Sequence, residues 1–433
     1  MQPTPILSTI RTHGLLRHPR HISNAAEGRM RKGLCAAWVV LCIGCSAQHE
    51  RAGWQYAGGP GRANSYGSAV TTTLNTATSY DLLPDSVDLL STPVMLASNV
   101  TVAALADGRL VRIENGVIRW SYRSSDAAPF ASRIAVDADG SVYAVDSRAR
   151  LVCLHADGSR RWAYALGDTL VPTLSGDVLR TRLHAVVATA AGIIAAIDAA
   201  SGREAWRVHV GALRHQQLAS DASGNVYAIV AGSPDTLIAI DDRGSRRIAA
   251  ALPDMQVTAG PVIGGAGVVV AGRTRGTADG AFGAVSAVDR TGRLRWTNRI
   301  GTIPQSISVS GDTSYVVTAE PGAVGLRASR IIAIDGGGTR RWGIWYDKVI
   351  TSPLIIASDA MLFTVTEDAS ATWHDVLILW RDGRIRRHIA GTNVPRIIPD
   401  PVVTPTQTVM MAAADGCRIV TLDETLMYNI LPQ

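Results

Sequence analysis

One repeated unit constrains this chain more than any other feature. An apolar strand-like run, an acidic turn, a glycine and usually a tryptophan four residues later recur through the body of the sequence. The units are Leu110–Ile113 with Gly116 and Trp120, Leu151–Leu154 with Gly158 and Trp162, and Ile193–Asp198 with Gly202 and Trp206. They continue as Leu237–Asp241 with Gly244 and Ile248, Val285–Asp289 with Gly292 and Trp296, and Ile331–Asp335 with Gly338 and Trp342. In a seventh, Val376–Leu379 with Gly383, Arg387 takes the tryptophan position. Successive glycines lie 42, 44, 42, 48, 46 and 45 residues apart. A period of about 40–50 residues marks a repeat array, so the 433 residues need not be divided into two or three independent domains.

Each unit has the periodicity of strands. Ile238–Asp241 and Ile331–Asp335 are short, apolar and bounded by Gly, Asp and Ser. Upstream of them lie second strands such as Val142–Val145, Val226–Ile229, Val268–Ala271 and Tyr315–Thr318, and before those Thr92–Leu96, Pro261–Ile263 and Pro353–Ile356. With the tryptophan strand as the fourth, four antiparallel strands and no helical pattern make one propeller blade. A lone blade has two apolar faces to cover, and closing a ring covers both without exposed end caps. The recurring Trp fits a wedge packed on the small Ala residues of an adjacent blade. A degenerate eighth repeat is visible at Asp400–Val403, Thr408–Ala412 and Arg418–Leu422, and Trp54–Val70 is placed to lend it a closing strand. The expected fold is all-β, an eight-bladed β-propeller of four-stranded antiparallel blades, with seven blades as the alternative.

The Asp, Gly and Trp pattern at this spacing resembles the PQQ-like, quinoprotein dehydrogenase-type β-propeller repeat over roughly residues 54–433. Trp54-Gln55-Tyr56-Ala57-Gly58-Gly59-Pro60 is similar to the opening that precedes the first blade in that family. Enzymes of the family hold PQQ in the central funnel with Ca²⁺, an Asp general base and, in many, a ring made by two adjacent cysteines. This sequence has no adjacent cysteine pair, and Asp198, Asp241, Asp289, Asp335 and Asp423 share one repeat position, where turn chemistry explains them. The expectation is therefore a propeller with no cofactor, no metal and no catalytic residues.

Other chemistries are also missing. There is no Gly-x-Ser-x-Gly elbow and no His-Glu-x-x-His, and the ten histidines are scattered, with His155, His209 and His388 in or beside strands as structural residues. Lys occurs only at Lys32 and Lys348, neither in a Gly-Lys-Ser/Thr context, which excludes a phosphate-binding P-loop. The pairs Arg160-Arg161, Arg246-Arg247, Arg340-Arg341 and Arg386-Arg387 share a repeat position and read as a solvated outer face.

The amino-terminal region reads as an export signal. Residues 34–44 form an apolar run behind Arg29, Arg31 and Lys32, too short to span a bilayer. Leu41-Cys42-Ile43-Gly44-Cys45 resembles a bacterial lipobox, with Cys42 where Leu is usual, and the resemblance implies lipidation at Cys45. By the same resemblance Ser46 favours the outer membrane. The organisation is then 1–29 as an upstream start or disordered extension, 30–44 as a lipoprotein signal peptide, 45–85 as anchor, linker and ring-closing segment, and 86–433 as propeller. Residues 1–44 hold six Arg or Lys and one Glu, so the chain from Cys45 has 36 basic and 35 acidic residues. The sequence pI of about 9.2 therefore belongs to the leader and implies no nucleic-acid partner. Cys153 and Cys417 are too few to staple a domain and read as buried thiols.

The expected function is a non-catalytic, monomeric lipoprotein scaffold that binds other envelope proteins. In anchor, mature length and repeat number it resembles the propeller lipoproteins of the outer-membrane β-barrel assembly machinery. The alternatives are a PQQ-dependent dehydrogenase with divergent ligands and a carbohydrate or cell-wall binding propeller.

Overall fold

The computed structural model describes residues 76–81, 89, 93–97, 100–115, 117–130, 132–167, 177–189, 191–215, 217–274, 282–321, 327–366, 375–389, 397–403, 409–413 and 418–423. Cys45, Trp54–Val70, Gly116 and Cys417 lie outside the described residues. Every described element is a strand, and the strands assemble into eight antiparallel sheets. In chain order, sheets 1 to 7 span residues 94–123, 135–165, 179–209, 219–251, 255–299, 303–346 and 349–389. Within each, strands pair in sequence order, so the first strand forms one edge and the fourth strand, which bears the tryptophan in sheets 1, 2, 3, 5 and 6, the other. In sheet 7 the first strand is split into Val349–Ile350 and Ile355–Ile356.

The eighth sheet is sewn from both ends of the chain. Ile397–Val403, Val409–Ala413 and Arg418–Asp423 supply three strands close to the positions read from the sequence. Thr76–Asp81 supplies the fourth, antiparallel to Arg418–Asp423 from Thr76 opposite Asp423 to Asp81 opposite Arg418. The closing strand thus lies C-terminal to Trp54–Val70, the segment expected to provide it.

Alternation along the strands explains why they are apolar almost throughout. Val142, Ala144, Val152 and Leu154 point into one core with sheet 1 residues such as Val102 and Leu110. Tyr143, Val145, Leu151 and Cys153, the intervening residues of the same two strands, point into another core with Ala185, Val187, Ala195 and Ile197 of sheet 3. A strand buried on both faces cannot alternate polar with apolar side chains. The same sharing runs through sheets 3 to 7, each core belonging to two consecutive sheets.

Candidate functional site

The repeat residues form the joints between sheets. Trp120 donates its indole N–H to the Ala156 carbonyl (2.9 Å), Trp162 to Ala199 (3.0 Å), Trp206 to Asp242 (3.0 Å) and Trp296 to Gly336 (2.9 Å), in each case a turn of the following sheet. The rings lie against that turn's glycine. A Cβ on Gly158 would stand 2.5 Å from the Trp120 ring, and one on Gly202 2.5 Å from Trp162; Gly244 and Gly338 meet Trp206 and Trp296 in the same way. Where the repeat lacks its tryptophan, Ile248 lies beside Gly292, and Gly383 sits against Ile344 and the edge of Trp342. The wedge therefore seats on a glycine and a backbone carbonyl of the next sheet, the carbonyl being that of an Ala for Trp120 and Trp162. Gly202, at φ 70°, occupies the left-handed region that closes the hairpin, so backbone and packing both require glycine there.

The acidic repeat positions shape these turns. Asp241 accepts the N–H groups of Arg243 (3.0 Å) and Ser245 (2.8 Å), and Asp335 those of Gly337 (3.0 Å) and Thr339 (2.8 Å). Burial would raise the Asp241 carboxyl, but the Ser245 and Arg243 N–H groups and the Arg247 guanidinium outweigh it and hold it below the usual range.

A second repeated feature follows the glycine by three residues. In sheets 1 to 7 the register of the fourth strand shifts just before the tryptophan position, leaving Arg119, Arg161, Ala205, Arg247, Arg295, Arg341 and Arg386 unopposed. Six of the seven bulged residues are Arg. Arg247 and Arg341 fold back on Asp241 (2.7 Å) and Asp335 (2.8 Å), while Arg386 is only 8% exposed, pairs with Asp359 (2.9 Å) and covers the Trp380 ring. One arginine of each pair is thus the bulge residue; Arg160, Arg246, Arg247, Arg340 and Arg341 are exposed, as expected of a solvated face, whereas the Arg386 side chain departs from it. Of the histidines expected to be structural, His155 and His209 are exposed.

No sequence motif pointed to one further concavity. Residues in or beside the first strands of four consecutive sheets line an open pocket of about 540 Å³. Its hydrogen-bonding side chains are Gln217, Thr258, Gln305, Ser306, Thr351 and Ser352, interspersed with apolar groups such as Val262, Ile307 and Ile350. The first strands are irregular at this level: register shifts fall between Val257 and Val262 and between Pro304 and Ser306, and sheet 7 is interrupted after Ile350. Bulges of this kind re-aim side chains, and here they turn them into the pocket. Pro261, Pro304 and Pro353, which cannot donate to a ladder, are the sequence signal that marks these interruptions. Thr258 donates across to the Pro304 carbonyl (2.9 Å), and the Thr351 hydroxyl lies 2.9 Å from that of Thr364. Gln217, Gln305 and Ser306 have no side-chain partner among the described residues.

The electrostatics of the pocket decide what could occupy it. Among the described residues, its lining contains no Arg, Lys, Asp, Glu or His. A quinone tricarboxylate with Ca²⁺ needs cationic partners for its carboxylates and oxygen ligands of carboxylate type for the ion. The neutral lining does not fit that pair, and no grouping of three or more His, Cys, Asp or Glu among the described residues could hold a metal ion. Near the pocket in sequence, both ring nitrogens of His215 are buried without a partner, and burial pushes its pKa down to about 4. The neighbouring Arg214 pairs with fully buried Asp235 (2.5 Å), which also accepts the N–H of Val257 (2.8 Å).

Comparison with known proteins places this architecture. No curated protein matches the chain in sequence. Among solved structures, BamB from Moraxella catarrhalis is similar at TM-score 0.57 and 17% identity, covering 80% of this chain and 97% of that one. The quinohemoprotein alcohol dehydrogenase from Comamonas testosteroni is similar at TM-score 0.60 and 12% identity, covering 88% and 81%. A europium-containing methanol dehydrogenase reaches TM-score 0.56 at 13% identity, covering 86% and 92%. Likenesses at these identities establish a shared PQQ-type propeller fold. The model of the family described as outer membrane protein assembly factor BamB matches residues 81–166 and 106–344, well over half of the chain. With its repeat, its inter-sheet tryptophans and this match taken together, the chain belongs to the outer membrane protein assembly factor BamB family of PQQ-like propellers.

Proposed function

We propose that this protein is a non-catalytic scaffold of the bacterial envelope that binds other proteins during outer-membrane protein assembly, held to the membrane by a lipid on Cys45. Family membership supports the assembly role. The observation that carries the non-catalytic reading is the uncharged pocket, whose residues suit neither an anionic quinone nor a divalent cation. A rigid propeller presents wide loop surfaces and strand edges, which suit protein binding. The anchor rests on the lipobox at Cys45, with residues 30–44 as the signal.

Crosslinking in cells followed by mass spectrometry of the membrane fraction tests the scaffold. Defined envelope proteins should be recovered, and a chain that enters the membrane fraction without any stable protein partner refutes the reading. Cys45→Ser should release the protein from membranes and abolish labelling by an alkyne fatty acid.

A second reading draws on the dehydrogenase-like structural neighbours. Under it, adding PQQ and Ca²⁺ to the purified chain should give a quinone spectrum and dye-linked alcohol oxidation; the scaffold reading expects neither.

A further inference from the structure

We infer that the pocket between the first strands of sheets 4 to 7 binds a short, uncharged, extended peptide segment of a partner protein. This inference rests on the scaffold reading and deepens it by naming what the scaffold grips. About 540 Å³ lies within the range of pockets that enclose small ligands, roughly 300–1,000 Å³.

Three properties of the lining select the ligand class. The first is charge: an ionic ligand would meet no opposite charge among the described lining residues. The second is hydrogen-bonding character. The carboxamides of Gln217 and Gln305 each offer both donors and an acceptor, have no partner among the described residues, and match the pattern of a peptide amide. Each first strand pairs on one side only, leaving the backbone groups of its other edge available for β-type pairing. The third is the absence of aromatic residues from the lining among the described residues. A sugar ring, which usually rests on an aromatic face, finds none here, whereas Val262, Ile307 and Ile350 give small apolar side chains a dry surface.

The surrounding architecture is specialised in the same place. The second strands of sheets 5 and 6, Gly267–Thr274 and Thr313–Pro321, run to 8 and 9 residues, against 4 and 5 for Val142–Val145 and His184–Ala188 in sheets 2 and 3. Because Met255 pairs with Thr274 and Ile303 with Ala319, these extensions stand beside the starts of the first strands that line the pocket.

Calorimetric titration of the full chain in detergent tests the assignment. The titrants are three pools of N-acetylated, C-amidated tetrapeptides, one uncharged, one acidic and one basic, with maltotriose and PQQ plus Ca²⁺ run separately. The uncharged pool should bind, and the charged pools should bind about tenfold more weakly or not at all. Gln217→Leu combined with Gln305→Leu should weaken the uncharged pool by about tenfold, the loss expected when two or more hydrogen bonds are removed. Ser306→Gln, which fills the pocket from a different position, should do the same, and an unchanged circular dichroism spectrum shows that each variant is folded. Binding of maltotriose or PQQ in preference to the uncharged pool overturns the proposal, as does peptide binding that neither substitution alters. In-cell crosslinking of the double variant separates this idea from the one beneath it. If the wild type binds no peptide but partners are still captured, the pocket assignment fails and the scaffold stands; if neither chain captures a partner, the scaffold itself fails.

Discussion

The two halves of the propeller hold their sheets together with different chemistry. Around sheets 2 to 5 the ties involve charge: Arg133 with Asp177 (3.4 Å) and Arg180 with Asp137 (2.7 Å) join sheets 2 and 3, and Asp235, paired with Arg214 (2.5 Å) on its own sheet, accepts the Val257 N–H of sheet 5 (2.8 Å). Around sheets 5 to 7 hydroxyls take over: Thr258 to the Pro304 carbonyl (2.9 Å), Ser308 to the Leu354 carbonyl (2.6 Å), the Ile350 N–H to Ser329 (2.9 Å), and Ser310 accepting from Arg381 (2.8 Å). Both sets link consecutive repeats, and both halves share the same strand pattern. The contrast shows that the repeat fixes the sheet while leaving the chemistry of its inner edge free to vary. One arc closes with charge; the other leaves an uncharged pocket.

The comparison can be broken most forcefully at Arg214. Arg214→Leu leaves Asp235 buried without its cation and should cost about 3–5 kcal/mol, read from the urea midpoint. The carboxyl of Asp235 is raised by burial but lowered further by Arg214 and by the Val257 and Gly232 N–H groups, so its folded value lies below the usual one. Its contribution is therefore present above the unfolded value near 4 and lost as pH falls through the folded value.

A pH experiment on the same arc sharpens the picture. His215 has its pKa lowered from 6.5 to about 4, so the unfolded chain binds its proton more readily than the folded one. Stability should fall as pH drops from about 6.5 to 4, by up to about 3 kcal/mol. His215→Phe should flatten that dependence while leaving the Asp235 limb at lower pH.

A change at the joint common to both arcs should be intermediate. Gly202→Ala puts a Cβ 2.5 Å from the Trp162 ring at a left-handed φ and should cost about 2–3 kcal/mol by chemical denaturation. The smallest effect belongs to the neutral arc. Thr258→Val removes one hydroxyl bond and should cost about 1 kcal/mol, with no dependence on salt. Arg180→Gln, its counterpart on the charged arc, should cost more at low ionic strength than at high.

What could be read from the sequence divides along the same line. The strands, the turns and the Gly–Trp spacing are local and recur, so seven repeats reinforce one reading, and the degenerate eighth was found by extending the period. That each tryptophan packs on the adjacent sheet is legible from the repeat, whereas the glycine and carbonyl that receive it lie one repeat away, where spacing does not name them. The solvated face of the arginine pairs is legible too; the bulge is not, because it leaves no mark in composition beyond a constant place three residues after the glycine, and neither is the burial of Arg386. The pocket escaped notice for the opposite reason. Gln217, Gln305 and Ser306 belong to no motif and carry no charge, and they come together only when separate first strands converge. Their one signal was the set of prolines at strand interruptions, Pro261, Pro304 and Pro353.

The eighth sheet sets an order on biosynthesis. Thr76–Asp81 leaves the ribosome before any complete sheet exists, yet its partner Arg418–Asp423 is among the last segments made. Sheets 1 to 7 are each contiguous in sequence and can form as they emerge, whereas the last must wait for the whole polypeptide and for a very long loop to close. Until then an early strand has no hydrogen-bonded neighbour and presents a bare edge to any other chain in the same condition. Prompt release of the carboxyl terminus is thus a condition for completing the fold, and a truncation that removes Arg418–Asp423 would undo the sheet that contains Thr76–Asp81.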